Sequence, residues 1–109
     1  MTLDSEPIDW TWRPAELHGA RDAFAMFVTG TNMGEVLPEG TTVFVHPNLP
    51  PRPGDFVVVE KISHEALIKR LVRRSQAGVT LRQYDPPRDF DLARRDIHAL
   101  YRVIGAAFP

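Results

Sequence analysis

Residues 27–33 read Phe-Val-Thr-Gly-Thr-Asn-Met, and this run decides how the fold is interpreted. It completes an alternating segment in which Phe24, Met26 and Val28 share one face of an extended chain. Gly30 then breaks the strand and begins a turn. Asn32 and Met33 are therefore expected in the turn that follows a strand.

The composition favours one compact, turn-rich β domain. The chain has 109 residues, with ten prolines and seven glycines spread among short apolar runs. This length suits a single core and is too short for two. Residues 1–21 are polar and punctuated by proline, so they are assigned to an N-terminal arm and residues 22–109 to the folded domain.

Short apolar runs predict a series of strands joined by stiff turns. The run from Phe56 to Val59 is apolar throughout, which predicts a strand buried on both faces at the centre of the sheet. Residues 65–73 and 79–84 flank a hairpin-like loop and are expected to pair. Residues 85–90, Asp-Pro-Pro-Arg-Asp-Phe, are interpreted as a rigid loop. Further strands are expected at residues 24–28, 42–46 and 99–108.

Lys69 lies in a predicted strand among apolar side chains. Leu67, Lys69 and Leu71 share one face of that strand, and Ile68 and Arg70 share the other. Burial disfavours the ammonium form of a lysine and lowers its pKa, which suits a general base near neutral pH. The alternative is that Lys69 covers apolar surface from an edge strand and keeps its charge in water.

Charge and composition argue against several classes of function. The net charge is −1 at pH 7, so the domain lacks a general basic footprint and we expect no direct DNA binding by it. No apolar run approaches the ~18 residues of a membrane span. The chain has no cysteine and therefore no disulfide framework. A soluble cytoplasmic protein without membrane contact is expected.

The remaining polar clusters give weak signals. The four histidines show no spacing typical of a metal site, so neither a metal nor a cofactor is predicted. The densest basic cluster consists of Lys69, Arg70, Arg73 and Arg74. If it has a function, the cluster would contact a phosphate or an acidic partner. A solvated hairpin is favoured, because acidic residues elsewhere balance this charge.

Residues 22–106 resemble the self-cleaving Ser–Lys peptidase domain of LexA, UmuD and phage repressors, most closely the phage-repressor type. The family motif apolar-x-Val-x-Gly-x-Ser-Met is similar to residues 27–33, with Asn32 at the position of the serine nucleophile. Ile68-Lys69-Arg70-Leu71 is similar to the strand that carries the lysine base. Four more segments resemble segments of the family's peptidase domain and occur in the same order along the chain: residues 38–47, 52–59, 81–87 and 103–105. The resemblance implies a mostly β fold of small, strongly bent antiparallel sheets.

The family's chemistry explains why the missing serine matters. There, a neutral lysine removes the serine proton, and the alkoxide attacks a peptide carbonyl held beside backbone amides. By position, Lys69 matches the general base and Asn32 the nucleophile, with Gly30, Thr31 and Met33 as binding residues. A carboxamide has no hydroxyl to deprotonate, so the resemblance implies a degenerate peptidase. Asn32 is expected instead to hydrogen-bond beside Lys69.

Alternatives to a natural pseudoenzyme stay open. Thr29 and Thr31 are candidate substitute hydroxyls, although Thr31 would point away from Asn32 on an extended segment. Asn32 could also be an engineered change in an active self-cleaving peptidase of the SOS and phage-repressor class. The sequence departs from the family pattern at a second place, since residues 34–36 read Gly-Glu-Val where relatives usually carry a proline. An engineered change of the serine would not explain this difference, so natural loss of the catalytic site is favoured.

The expected function is self-association or peptide-segment binding within a transcriptional regulator. The resemblance implies a homodimer, and the apolar strand at residues 99–108 is expected to be exposed for self-association. The residues before Asp22 cannot supply a helix-turn-helix, so we expect a separated C-terminal region or a free-standing remnant. A peptide segment is the expected occupant of the groove.

Overall fold

The computed structural model describes residues 23–109, which form seven strands and one short 3-10 turn. The arm expected at residues 1–21 lies outside the described residues. The strands are β1 (Phe24–Phe27), β2 (Thr42–His46), β3 (Phe56–Lys61), β4 (Ala66–Ser75), β5 (Gly78–Tyr84), β6 (Pro87–Ala93) and β7 (Ile97–Ala107), and the 3-10 turn is Arg94–Asp96.

The seven strands belong to one sheet with the order β1-β2-β7-β3-β4-β5-β6. Every neighbouring pair is antiparallel. The predicted mostly β, antiparallel fold is confirmed, and its strands are joined in one continuous sheet. The predicted hairpin between β4 and β5 is also confirmed, with Gln76 and Ala77 as its turn.

Strand β3 separates two clusters of buried side chains. Val58 contributes to the first cluster, together with residues of β1 and β2. Val57 and Val59 contribute to the second cluster, together with residues of β4 and β5. All three valines are fully buried. The prediction of a central strand buried on both faces is confirmed.

The prediction of a rigid loop at residues 85–90 is wrong. After a two-residue turn, Pro87 begins strand β6, which pairs with β5 along its whole length. Proline is tolerated there because Pro87 is the first residue of an edge strand, where no ladder hydrogen bond depends on its nitrogen. The Arg82 guanidinium donates hydrogen bonds of 2.8 and 3.0 Å to the Asp89 carboxylate across this pair, and the contact lowers the pKa of Asp89.

The last strand does not lie at an edge of the sheet. β7 has close to its predicted bounds, but it pairs with β2 on one side and with β3 on the other. The ladder with β2 covers residues 102–107 and the ladder with β3 covers residues 97–102, so each edge of β7 is paired along only about half of its length. Self-association through this strand stays a prediction. Among the described residues, the edge strands are β1 and β6.

Gly78 begins β5 where the end of β6 comes very close. A Cβ at this position would overlap the Leu92 carbonyl oxygen, and the φ of Gly78 is +149°. Gly54 also has a positive φ, +96°, but a Cβ there would meet nothing within 4 Å. We expect Gly78→Ala to lower the free energy of unfolding by about 3 kcal/mol and Gly54→Ala by about 1 kcal/mol. Urea unfolding measures both, and equal losses would contradict the close approach.

Candidate functional site

A cavity of about 370 Å³ opens where the loop after β1, the start of β4 and the β5–β6 hairpin meet. Its walls combine apolar side chains with a small number of polar ones. Such a concave, partly apolar surface with a few converging polar groups is the usual form of a binding or catalytic site. The polar lining residues are Thr29, Asn32, Glu65, Lys69, Gln83 and Arg88.

The loop after β1 is closed at its base by main-chain hydrogen bonds. The Val28 N–H donates to the Thr41 carbonyl (2.8 Å), and the Gly40 N–H donates to the Val28 carbonyl (2.9 Å). Gly30 has a φ of +77°, a conformation that favours glycine, and its N–H donates to the Glu39 carboxylate (3.0 Å). The chain thus turns at the glycine that was predicted to end the strand.

Asn32 is fixed in this loop by its main chain. Its carbonyl oxygen accepts hydrogen bonds from the N–H groups of Tyr84 and Asp85, both at 2.8 Å, at the end of β5. The next residue, Met33, is 2% exposed and belongs to the first core cluster. The Asn32 residue is exposed and lines the cavity. The loop therefore holds position 32 at the cavity through contacts that do not involve its side chain.

Lys69 reaches the cavity from an interior strand. It lies in β4 opposite Val57 of β3, and it is only 8% exposed. Because β4 has neighbouring strands on both sides, the alternative of a lysine snorkelling from an edge strand is wrong. The fold brings Asn32, Met33 and Lys69 to one cavity, although they are distant in sequence.

Gly30 and Thr31, the other predicted binding residues, lie outside the cavity lining. Both are exposed, and the Thr31 carbonyl accepts a hydrogen bond from the Gly34 N–H within the turn (2.9 Å). Of the two candidate hydroxyl residues, Thr29 lines the cavity and Thr31 does not. This difference arises because the chain turns at Gly30, so that residues two apart no longer share a face.

Sequence reasoning missed the lining residues contributed by β5 and β6. Gln83 of β5 is buried, and its amide nitrogen donates to the Pro86 carbonyl (3.0 Å) across the hairpin turn. From β6, the Arg88 guanidinium lies 5.0 Å from the centre of the Phe90 ring. Alternation places Arg88 and Phe90 on one face of a strand, but the two prolines before them favoured a loop.

The described part of the chain holds no group of three or more His, Cys, Asp or Glu side chains positioned for a metal ion. Nor does any helix within residues 23–109 have the length and apolar character needed to cross a membrane. The cavity's own side chains can donate and accept hydrogen bonds, and an amine such as that of Lys69 can also transfer a proton.

Comparison with known proteins agrees with this architecture. A family model described as Peptidase S24-like matches residues 3–105, so this chain belongs to the Peptidase S24-like family. The resemblance to the LexA and phage-repressor family, which rests on the run at residues 27–33 and the strand around Lys69, is thereby confirmed.

A phage repressor is among the relatives. The chain is 27% identical to Repressor protein C of Rhizobium phage 16-3 over 105 aligned residues. The match covers 89% of this chain and 40% of that repressor, so the chain spans less than half the length of this relative. The fold and the relative together define a repressor-type peptidase-fold domain.

The main-chain anchoring of Asn32 predicts that its side chain is dispensable for folding. We expect Asn32→Ala to change the free energy of unfolding by less than about 0.5 kcal/mol. Gly34→Ala is the matched variant in the same turn, where φ is +58° and a Cβ would lie 3.4 Å from the Tyr84 Cβ. It should cost about 1–2 kcal/mol. Urea unfolding compares the two, and a large loss in Asn32→Ala would contradict the anchoring.

Proposed function

We propose that this repressor-type domain has a degenerate catalytic site and acts in self-association or peptide-segment binding within a transcriptional regulator in the cytoplasm. One observation carries the proposal: Asn32 and Lys69 line the same cavity. These are the positions that the family motif assigns to the nucleophile and the base. The base position keeps its amine, while the nucleophile position has no hydroxyl.

A carboxamide at position 32 prevents the usual first step of Ser–Lys catalysis. In that step the serine proton passes to the lysine amine while the serine oxygen attacks a peptide carbonyl. Asn32 has no O–H bond to break, and its nitrogen lone pair is delocalised into the carbonyl. Its amide can donate and accept hydrogen bonds instead. Such a cavity would hold a peptide segment without cutting it.

Strand β6 supports peptide binding beside the cavity. Within the described residues it pairs only with β5, so its outer main-chain groups can pair with an added strand. Arg88 and Phe90 of the same strand line the cavity. An extended segment paired along β6 would therefore run next to the cavity that contains Asn32 and Lys69.

Restoring the serine tests whether the base and the groove are preserved. We expect Asn32→Ser to cleave, at raised pH, a peptide that copies the upstream cleavage segment of a phage repressor, whereas the unmodified chain should not. The double variant Asn32→Ser with Lys69→Ala is the matched control. Its rate should be about 10²–10⁴ times lower than that of Asn32→Ser, because the general base is removed. Mass spectrometry of the products gives both rates.

Three outcomes of this experiment would contradict the proposal. Cleavage by the unmodified chain would reveal a working nucleophile. Equal cleavage by Asn32→Ser and by its Lys69→Ala double variant would show that Lys69 is not the general base. Failure of Asn32→Ser to cleave, with the variant folded, would show that the groove no longer positions a substrate.

An active peptidase is the second candidate function, and the position of Thr29 favours it. Thr29 carries a hydroxyl and lines the same cavity as Lys69. If the unmodified chain cleaves the peptide, Thr29→Val should abolish the cleavage. Thr31→Val should leave it unchanged, because Thr31 lies outside the lining. The two variants remove the same hydroxyl group from neighbouring positions of one loop.

We further propose that the chain forms a homodimer. The support is its kinship with a phage repressor, since repressors that bind palindromic operators match them with two-fold symmetric dimers. Size exclusion with light scattering at micromolar concentration should give twice the monomer mass. A monomer mass alone would contradict the dimer and would leave the proposal for the Asn32 cavity untouched.

A further inference from the structure

A second cavity, of about 540 Å³, lies at the turn end of the β4–β5 hairpin, next to the start of β7. We call it the arginine groove. Its polar lining residues are Arg74, Ser75, Gln76, Arg94 and His98. It shares no lining residue with the cavity of Asn32 and Lys69. The two cavities are therefore separate sites.

The charged side chains that line the arginine groove are basic, while Asp91 and Asp96 line an adjoining cavity that shares Arg74 with it. Arg74 and Arg94 line the groove, and no aspartate or glutamate does. Both arginines are exposed, and neither guanidinium makes a hydrogen bond or an ion pair with any of residues 23–109. By contrast, Arg82 of the same hairpin is paired with Asp89. Two guanidinium groups that are unpaired within residues 23–109 and lie on one concave surface suit an anionic partner, because each offers several N–H donors in a planar fork.

The fold, rather than a local charge run, brings these arginines together. Arg74 lies in β4 opposite Val79 of β5. Arg94 comes from the 3-10 turn after β6, and its N–H donates to the Ala77 carbonyl in the hairpin turn (2.9 Å). The sequence favoured a solvated hairpin because acidic residues elsewhere balance the cluster around residues 69–74. The structure adds Arg94 and His98 from another part of the chain.

The groove also has an apolar surface. Val79 is buried in the second core cluster, and Ile97 and Leu100 pack against that cluster while staying half-buried. A nucleic-acid backbone would satisfy the guanidinium groups but would offer this surface only phosphate and sugar. A protein segment with carboxylates beside an apolar side chain complements both features.

We propose that the arginine groove binds an acidic protein segment of a partner protein. Carboxylates of the segment pair with Arg74 and Arg94, and an adjacent apolar side chain covers Ile97 and Leu100. This second binding site goes beyond the function proposed for the Asn32 cavity. It does not depend on that function, because the two cavities have no residue in common.

An NMR titration tests the site, since it detects and maps binding even at millimolar affinity. The isotope-labelled chain is titrated with a synthetic peptide that alternates aspartate and leucine. We expect the largest shifts at the amides of Ser75, Gly78 and His98. A matched peptide that alternates aspartate and serine should bind roughly tenfold more weakly, because it brings no apolar side chain to the groove.

Two double variants separate the groove from general electrostatic attraction. Arg74→Gln with Arg94→Gln should weaken binding of the aspartate–leucine peptide by roughly tenfold. Arg52→Gln with Arg95→Gln removes the same charge from two exposed arginines outside the groove lining. In this control, the affinity for the aspartate–leucine peptide should stay within about twofold of that of the unmodified chain at physiological salt, where distant charges are screened.

Several results would overturn the proposal. They are the absence of shifts at millimolar peptide, shifts confined to the cavity of Asn32 and Lys69, and equal losses in the two double variants. A labelled DNA duplex is tested in parallel. Tighter binding of the duplex than of the peptide, lost on removal of Arg74 and Arg94, would assign the groove to nucleic acid instead.

Discussion

Burial of β3 on both faces is the constraint on which the rest of the fold depends. Val57, Val58 and Val59 are fully buried, which requires neighbouring strands at both edges of β3 and packed side chains on both faces. Antiparallel pairing then sets Lys69 of β4 opposite Val57, inside the sheet. Burying a lysine side chain costs free energy unless its amine is paired or neutral.

Asn32, which lines the same cavity as Lys69, is held by a different kind of contact. The loop after β1 is attached to the end of β5 through the Asn32 carbonyl and is anchored in the core by Met33. Neither contact uses the Asn32 side chain. A nucleophile can therefore be lost at this position while the loop, the cavity and the strand carrying Lys69 keep their arrangement. This independence is consistent with the binding role proposed above for the cavity.

Some parts of the fold could be predicted from sequence because their signal is local. Residues 42–46 alternate and residues 56–59 are continuously apolar, and both are strands as expected. Strand β6 could not be predicted, because its prolines and charges are typical of a loop and its pairing depends on distant partners such as Arg82. The place of β7 between β2 and β3 is likewise a property of topology, which local patterns do not encode. At the site, the motif pointed to Asn32 and Lys69, and both line the cavity. Thr29 also lines the cavity and Thr31 does not, a difference that depends on the geometry of one turn.

The β4–β5 hairpin links the two cavities and also keeps them apart. Lys69 lies in its first half, and Arg74 lies near its turn. Between them the pairing shifts by one residue, from Leu71 opposite Leu81 to Arg73 opposite Thr80. A bulge of this kind bends the strand and redirects the side chains beyond it. The two cavities have no lining residue in common, so a segment bound at the arginine groove would leave the proposed binding edge of β6 beside Arg88 and Phe90 open.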